Sequence, residues 1–121
     1  MPDQLQIDMV NIGDSKPVEL FMLKRAVIDF NTSGDHTVVA AVTAKKIRVL
    51  GIKFSVASDV STTWKSASTA LSPAETWKAG GGMSDYWGPH GVLCETNPGE
   101  ALVLNLSGNV QISGWINYLE I

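Results

Sequence analysis

Side chains able to do chemistry are few in this sequence and lie far apart. One cysteine, Cys94, stands in GVLCETN, and two histidines, His36 and His90, stand in separate turn-like segments. A nucleophilic cysteine needs a cation, a base or a helix start to activate it, and the residues around Cys94 supply none. The histidines and the nearby Asp35 and Asp85 lack the spacing of metal ligands. We therefore expect no enzyme activity, no metal site and no cofactor, with Cys94 as a buried or half-buried thiol and the histidines in exposed turns.

The aromatic side chains are more informative. The chain has 4 tryptophans, and large aromatics with a polar atom are favoured at interfaces. We expect Trp64 and Trp77 to fill the core and Trp115 to project from the more polar face of the last strand. Tyr86 and Trp87, in SDYWGPHG, are expected to form an exposed loop anchor. Stacking against sugars is the alternative use of that pair.

The composition favours a β protein of one domain. At 121 residues the chain can form one core. Apolar residues make up 45% and charged residues 17%, which suits a sheet surface rich in Ser, Thr, Asn and Gly. The single cysteine excludes an intramolecular disulfide. Acids stand in MPDQLQIDMV where a secretory signal is basic and apolar, and no stretch could span a membrane, so we expect synthesis in the cytoplasm and no membrane partner.

Charge is unevenly distributed along the chain. Residues 1–23 carry four acids against one base, residues 24–53 carry six bases against two acids, and the remainder carries six acids against two bases. The acidic leading segment and the basic middle could pair within one chain or between neighbours. Ordinary scattered surface charge is the alternative, because exposed pairs contribute little. The basic stretch is short and interrupted, so no nucleic-acid partner is expected.

Apolar and β-branched runs alternate with turn clusters roughly every 8 to 12 residues, which is typical of a sandwich or barrel. Eight strands are predicted, and they fit a jelly roll: 18–23, 25–30, 37–42, 46–57, 61–66, 91–95, 101–107 and 110–121. In the longest, alternation puts Leu50, Ile52, Phe54 and Val56 on one face and Ile47, Val49 and Lys53 on the other. Gly51 predicts a bend or bulge that lets this strand pass from one sheet to the other.

Three further features are predicted from local signals. The tight turn SGN joins 101–107 and 110–121 as a hairpin, and the last strand, apolar on both faces, is an inner strand or is covered by another subunit. LSPAETWKAGGG has the capping signals of a short helix, with a turn followed by a strand as the alternative. Residues 1–17 are predicted to form an arm or edge strand outside a sandwich domain of residues 18–121.

The chain resembles a group of small tailed-phage virion proteins that prophages also encode. The similarity covers roughly residues 26–121 and is carried by TVVAAVTAKKIRVLGIKF, by WKSASTAL, and by GPHGVLCETNPGEALVLNLSGNVQISGWINYLEI. Ala44 and Ala67 stand where glycines are common in that pattern, which predicts two turns of altered shape. The matching motifs are structural and not catalytic.

The resemblance implies an all-β, jelly-roll-like antiparallel sandwich, often trimeric, on the outside of a virion. It implies a capsid decoration (cement) protein that binds itself and the major capsid protein of a tailed phage, with the first 25 residues adapted to one particular capsid or tail surface. A tail or fibre component that binds host-surface glycans is the alternative. The residues expected at an oligomer or capsid interface are Leu5, Ile7, Met9, Tyr86, Trp87, Trp115, Leu119 and Ile121.

Overall fold

The computed structural model describes residues 22–86 and 92–121, which form two antiparallel sheets. Within these ranges no helix is present, and therefore none that is long and apolar enough to cross a membrane. The strands are β1 (Lys24–Phe30), β2 (Gly34–Val39), β3 (Ile47–Val56), β4 (Val60–Ser66), β5 (Thr69–Ala70), β6 (Glu75–Trp77), β7 (Gly82–Tyr86), β8 (Cys94–Glu95), β9 (Leu102–Leu106) and β10 (Ile112–Glu120). The predicted arm, residues 1–17, lies outside the described residues, as does most of the predicted strand 18–23.

The strand order confirms the predicted jelly roll. The first sheet has the order β1-β10-β3-β7, with β8 also paired to β3, and the second has the order β2-β9-β4-β5, with β6 also paired to β4. The short strands β5 and β6 together occupy one edge position, and β7 and β8 another, so the described strands fill eight places. Five predicted strands are confirmed to within two residues at each end: 25–30, 46–57, 61–66, 101–107 and 110–121.

The core lies between the sheets and is built from one alternating row per strand. On β9, Leu102, Leu104 and Leu106 are at most 1% exposed, and on β10 Ile112 and Ile116 are fully buried. Burying one such side chain contributes about 1.5–3 kcal/mol. These rows stabilise the sandwich and leave the alternate positions for its outer faces.

The last strand is an inner strand, as predicted. β10 pairs with β1 on one side and with β3 on the other. After it, the backbone N–H and C=O of Ile121 both bond to Lys46. The predicted hairpin is wrong, because β9 pairs with β2 and β4 in the other sheet, so the SGN turn crosses between sheets. A short turn permits either connection, but the apolar rows of both strands must face the same core from opposite sides.

The bulge predicted in β3 is present at Leu50. Asn117 pairs with Gly51 and Tyr118 pairs with Val49, so Leu50 has no partner residue on β10. Since the extra residue shifts the alternation, the core row continues on both sides of it through Ile47, Val49, Ile52, Phe54 and Val56. The prediction that Ile47 and Val49 face away from Ile52 is therefore wrong. So is the predicted passage between sheets, because β3 stays in the first sheet throughout.

The segment predicted as a short helix is a turn followed by a strand. Glu75–Trp77 forms β6 on the edge of β4. The indole N–H of Trp77 donates to Oγ1 of the buried Thr62 at 2.8 Å, and its ring meets the Phe54 ring edge-on with centroids 5.1 Å apart. Local capping signals gave no information about these contacts, which hold the segment extended.

Ala44 and Ala67 both have left-handed backbones, with φ of 62° and 51°. Ala67 begins the two-residue turn between Ser66 and Thr69, which pair at the end of the β4–β5 hairpin. Such turns favour Gly or Asn, because a Cβ is strained at positive φ. The backbones of Ala44 and Ala67 are therefore locally strained.

Ala67→Gly is expected to raise the free energy of unfolding by up to about 1 kcal/mol, since it relieves the left-handed strain. The measurement is urea denaturation followed by tryptophan fluorescence. Ala70→Gly, in the exposed strand β5, is the matched control and should instead lower stability by roughly 0.5–1 kcal/mol. Equal effects of the two substitutions would contradict the assignment of strain to Ala67.

Candidate interaction surfaces

Half of the interface residues expected from the sequence can be placed. Tyr86 ends β7 and is 57% exposed, and Trp115 is half-buried on the outer face of β10. These two line one cleft. Leu119 is 8% exposed and Ile121 is half-buried, both at the other end of β10. The remaining four lie outside the described residues: Leu5, Ile7, Met9 and Trp87.

The largest exposed apolar side chains of the described residues lie at two opposite edges of the first sheet. Met22, Leu23 and Val27 are 75%, 53% and 67% exposed, and they precede or belong to the edge strand β1. We call these three residues and the side of β1 that pairs with no strand of the described residues the β1 edge. Tyr86 and Val92, 57% and 44% exposed, lie at the far edge.

Sequence reasoning missed the β1 edge, although one signal was available. Alternation in KRAVIDF buries Ile28 and places Val27 on the opposite face with Arg25 and Asp29. An exposed apolar residue on that face is compatible with an interaction surface but does not identify one by itself. The sequence alone does not show that β1 is an edge strand.

The outer face of the first sheet carries two cations over one aromatic ring. The guanidinium carbon of Arg25 lies 4.9 Å from the Trp115 ring centroid, and the ammonium of Lys53 lies 4.4 Å from it. Each such contact contributes about 0.5–1 kcal/mol at an exposed site. Arg25 also donates from Nε to Oδ1 of Asn117 at 3.4 Å. These contacts fix Trp115 on the sheet surface.

Other cations of the basic middle segment pair with two acids that come later in the chain, Glu95 and Glu120. Lys24 bonds to Glu120 at 2.8 Å, Arg48 to Glu95 at 2.6 Å, and Lys46 lies 3.5 Å from the same Glu95 carboxylate. By contrast, Arg25 and Lys53 form no ion pair with any acid in residues 22–86 or 92–121. These two cations of the outer face are therefore not held in ion pairs by the part of the chain that the structure describes.

Cys94 is a half-buried thiol inside the sandwich, as predicted. Burial raises its pKa to about 12, which makes it a poor nucleophile near neutral pH. It borders a cavity of about 160 Å³ between the sheets, together with Trp64, Met83 and Leu93. The buried indole N–H of Trp64 bonds to no atom of residues 22–86 or 92–121.

Neither histidine contributes to a described site. His36 lies within β2 and not in a turn as predicted, and its ring stacks on Phe30 with centroids 4.4 Å apart. His90 lies outside the described residues. In the two described ranges, no three His, Cys, Asp or Glu side chains lie close enough together to hold a metal ion.

No family model matches the chain, and neither does any curated protein or any solved structure. The resemblance to phage virion proteins therefore rests on the sequence motifs alone. The β1 edge and the outer face of the first sheet are the structural features that bear on function.

Proposed function

We propose that this chain is a structural protein of a tailed-phage virion, a decoration protein that binds the outer capsid surface and stabilises the shell. Its partners are further copies of itself, as a homotrimer, and the major capsid protein. Two features support this proposal besides the sequence motifs. The jelly roll is a fold that viral capsid domains use, and the strongest exposed feature is an edge suited to assembly.

The β1 edge is the observation that carries the proposal. An edge strand presents unpaired N–H and C=O groups that a second chain can bind. Here Met22, Leu23 and Val27 add exposed apolar side chains to that edge, which a neighbouring chain could cover. Native proteins usually protect a free edge, so one that exposes three large apolar side chains is suited to binding a neighbouring copy.

Assembly would make weak capsid contacts effective. Each subunit of a trimer offers the same surface to the shell, so after one subunit binds, the other two bind at high effective concentration. Modest interfaces then give tight occupancy of the shell. No catalytic step is needed, and the stabilisation comes from bridging neighbouring capsid subunits.

Val27→Asp is expected to break the oligomer, because it places a carboxylate in the apolar contact at the β1 edge. Light scattering after size exclusion should give three times the mass of the chain for the wild type and the mass of one chain for the variant. Val92→Asp, an exposed valine at the opposite edge of the same sheet, is the matched control and should remain a trimer. A monomeric wild type, or a Val27→Asp variant that remains a trimer, would exclude the β1 edge as the assembly surface.

A further inference from the structure

A hollow opens on the outer face of the first sheet beside the Trp115 ring. Two rows of paired residues cross β7, β3 and β10 there. Along each strand the two rows are two residues apart, so all their side chains lie on one face of the sheet. Between the rows and the neighbouring Asp85 lies a cleft of about 140 Å³. The first row is Tyr86, Gly51 and Asn117, and the second is Ser84, Lys53 and Trp115.

Glycine in the middle of the first row lets the side chains on either side of it come close together. A Cβ at Gly51 would lie 3.0 Å from Cδ1 of Tyr86 and 3.5 Å from Nδ2 of Asn117. The Tyr86 ring and the Asn117 amide therefore lie close to the space that a Cβ at Gly51 would fill.

The groups around the hollow are those that bind a sugar ring. Tyr86 offers an exposed aromatic face, and Trp115 forms the other aromatic wall. Asn117 uses its Oδ1 for Arg25, while its NH₂ group donates to no atom of the described residues. Lys53 likewise forms no ion pair with the described residues, so a cation and an amide remain available beside two aromatic rings. Asp85 pairs with the core residue Ile52, so its side chain belongs to the opposite face of β7 and only its backbone borders the cleft.

We propose that this cleft binds one pyranose residue that carries a carboxylate, as found in acidic polysaccharides. The ring packs on Tyr86, its carboxylate meets the ammonium of Lys53 with Arg25 nearby, and its hydroxyls bond to the side-chain amide of Asn117. The cleft is close in volume to a cavity of about 150 Å³ that holds one benzene ring. A pyranose carboxylate is larger than benzene, so one side of the sugar enters the cleft and the rest of the polysaccharide lies outside. The site goes beyond the proposed role on the shell and does not depend on it.

The acidic sugar methyl β-glucuronide and its neutral match methyl β-glucoside are the probes that test this site. Titrated into ¹⁵N-labelled full-length protein, the glucuronide should give saturable shifts at the Trp115 indole N–H and the Asn117 side-chain amide. We expect the glucoside to bind about 10-fold more weakly, because it lacks the charge-assisted bond to Lys53. Added salt should weaken the glucuronide alone.

Lys53→Gln should remove the preference for the glucuronide, and Asn117→Ala should weaken both sugars. Lys78→Gln is the matched control, since Lys78 is 82% exposed, lies outside the cleft and pairs with Asp59; it should bind like the wild type. Amide dispersion in the same spectra reports whether each variant is folded. The absence of saturable shifts, shifts confined to another surface, or equal binding of the two sugars would overturn the proposal.

Discussion

Gly114→Ala is expected to lower the free energy of unfolding by about 3 kcal/mol or more, which is at the upper end for overpacking. Gly114 lies in β10 between Ile28 on β1 and Phe54 on β3. A Cβ there would lie 1.9 Å from the carbonyl oxygen of Lys53 and 2.6 Å from the Cα of Phe54. Both atoms belong to backbone, so only a shift of paired strands in the middle of the first sheet can relieve the clash.

Chemical denaturation of the purified variant measures this effect. Gly108→Ala is the matched control, because a Cβ at Gly108 would meet nothing within 4 Å and this glycine is not among the described residues with positive φ. We expect its stability to stay within about 0.5 kcal/mol of the wild type. Similar stability of the two variants would contradict the close approach of β10 and β3 at this point.

Native Cys94 is expected to react with iodoacetamide at pH 8 about a thousand times more slowly than the same thiol in the unfolded chain. With its pKa raised to about 12 by burial, only about one thiol in ten thousand is ionised at pH 8, whereas an exposed cysteine is ionised to roughly a tenth or more. Mass spectrometry after timed alkylation, with and without denaturant, gives both rates.

Because the chain has 1 cysteine, the labelling signal reports this site alone. Ser68→Cys in a Cys94→Ser background supplies the exposed control, since Ser68 lies in the surface turn between β4 and β5. That variant should react at nearly the unfolded rate in its native state. A wild-type rate within tenfold of this control would mean that Cys94 is not enclosed between the sheets.

Alternation along single strands predicted much of this fold. The rows through Leu102, Leu104 and Leu106 and through Ile112 and Ile116 were legible because a side chain on one face of a strand recurs every second residue. The alternation across Leu50 in β3 could not be predicted, because a bulge inverts the alternation. Only the pairing of β3 with β10 shows which residue is the extra one. The prediction of a hairpin between β9 and β10 was wrong for a related reason. A short turn does not show whether the next strand joins the same sheet.

The candidate sites were predicted only in part. Tyr86 and Trp115 stood out by residue type, and both line the cleft. Their neighbours Lys53 and Asn117 did not, because they reach the cleft through the register of three strands that are far apart in sequence. The exposure of Val27 required knowing that β1 is an edge. Residue type alone therefore indicated the aromatic groups, and tertiary pairing supplied the polar ones.

The composition of phage particles purified from the organism that encodes this sequence tests the central proposal most directly. Quantitative mass spectrometry should find the chain in many copies per particle, and cryo-electron microscopy should place a two-sheet sandwich at symmetric positions on the outer surface of the shell. Absence of the chain from purified particles, or density confined to the tail, would contradict a decoration role.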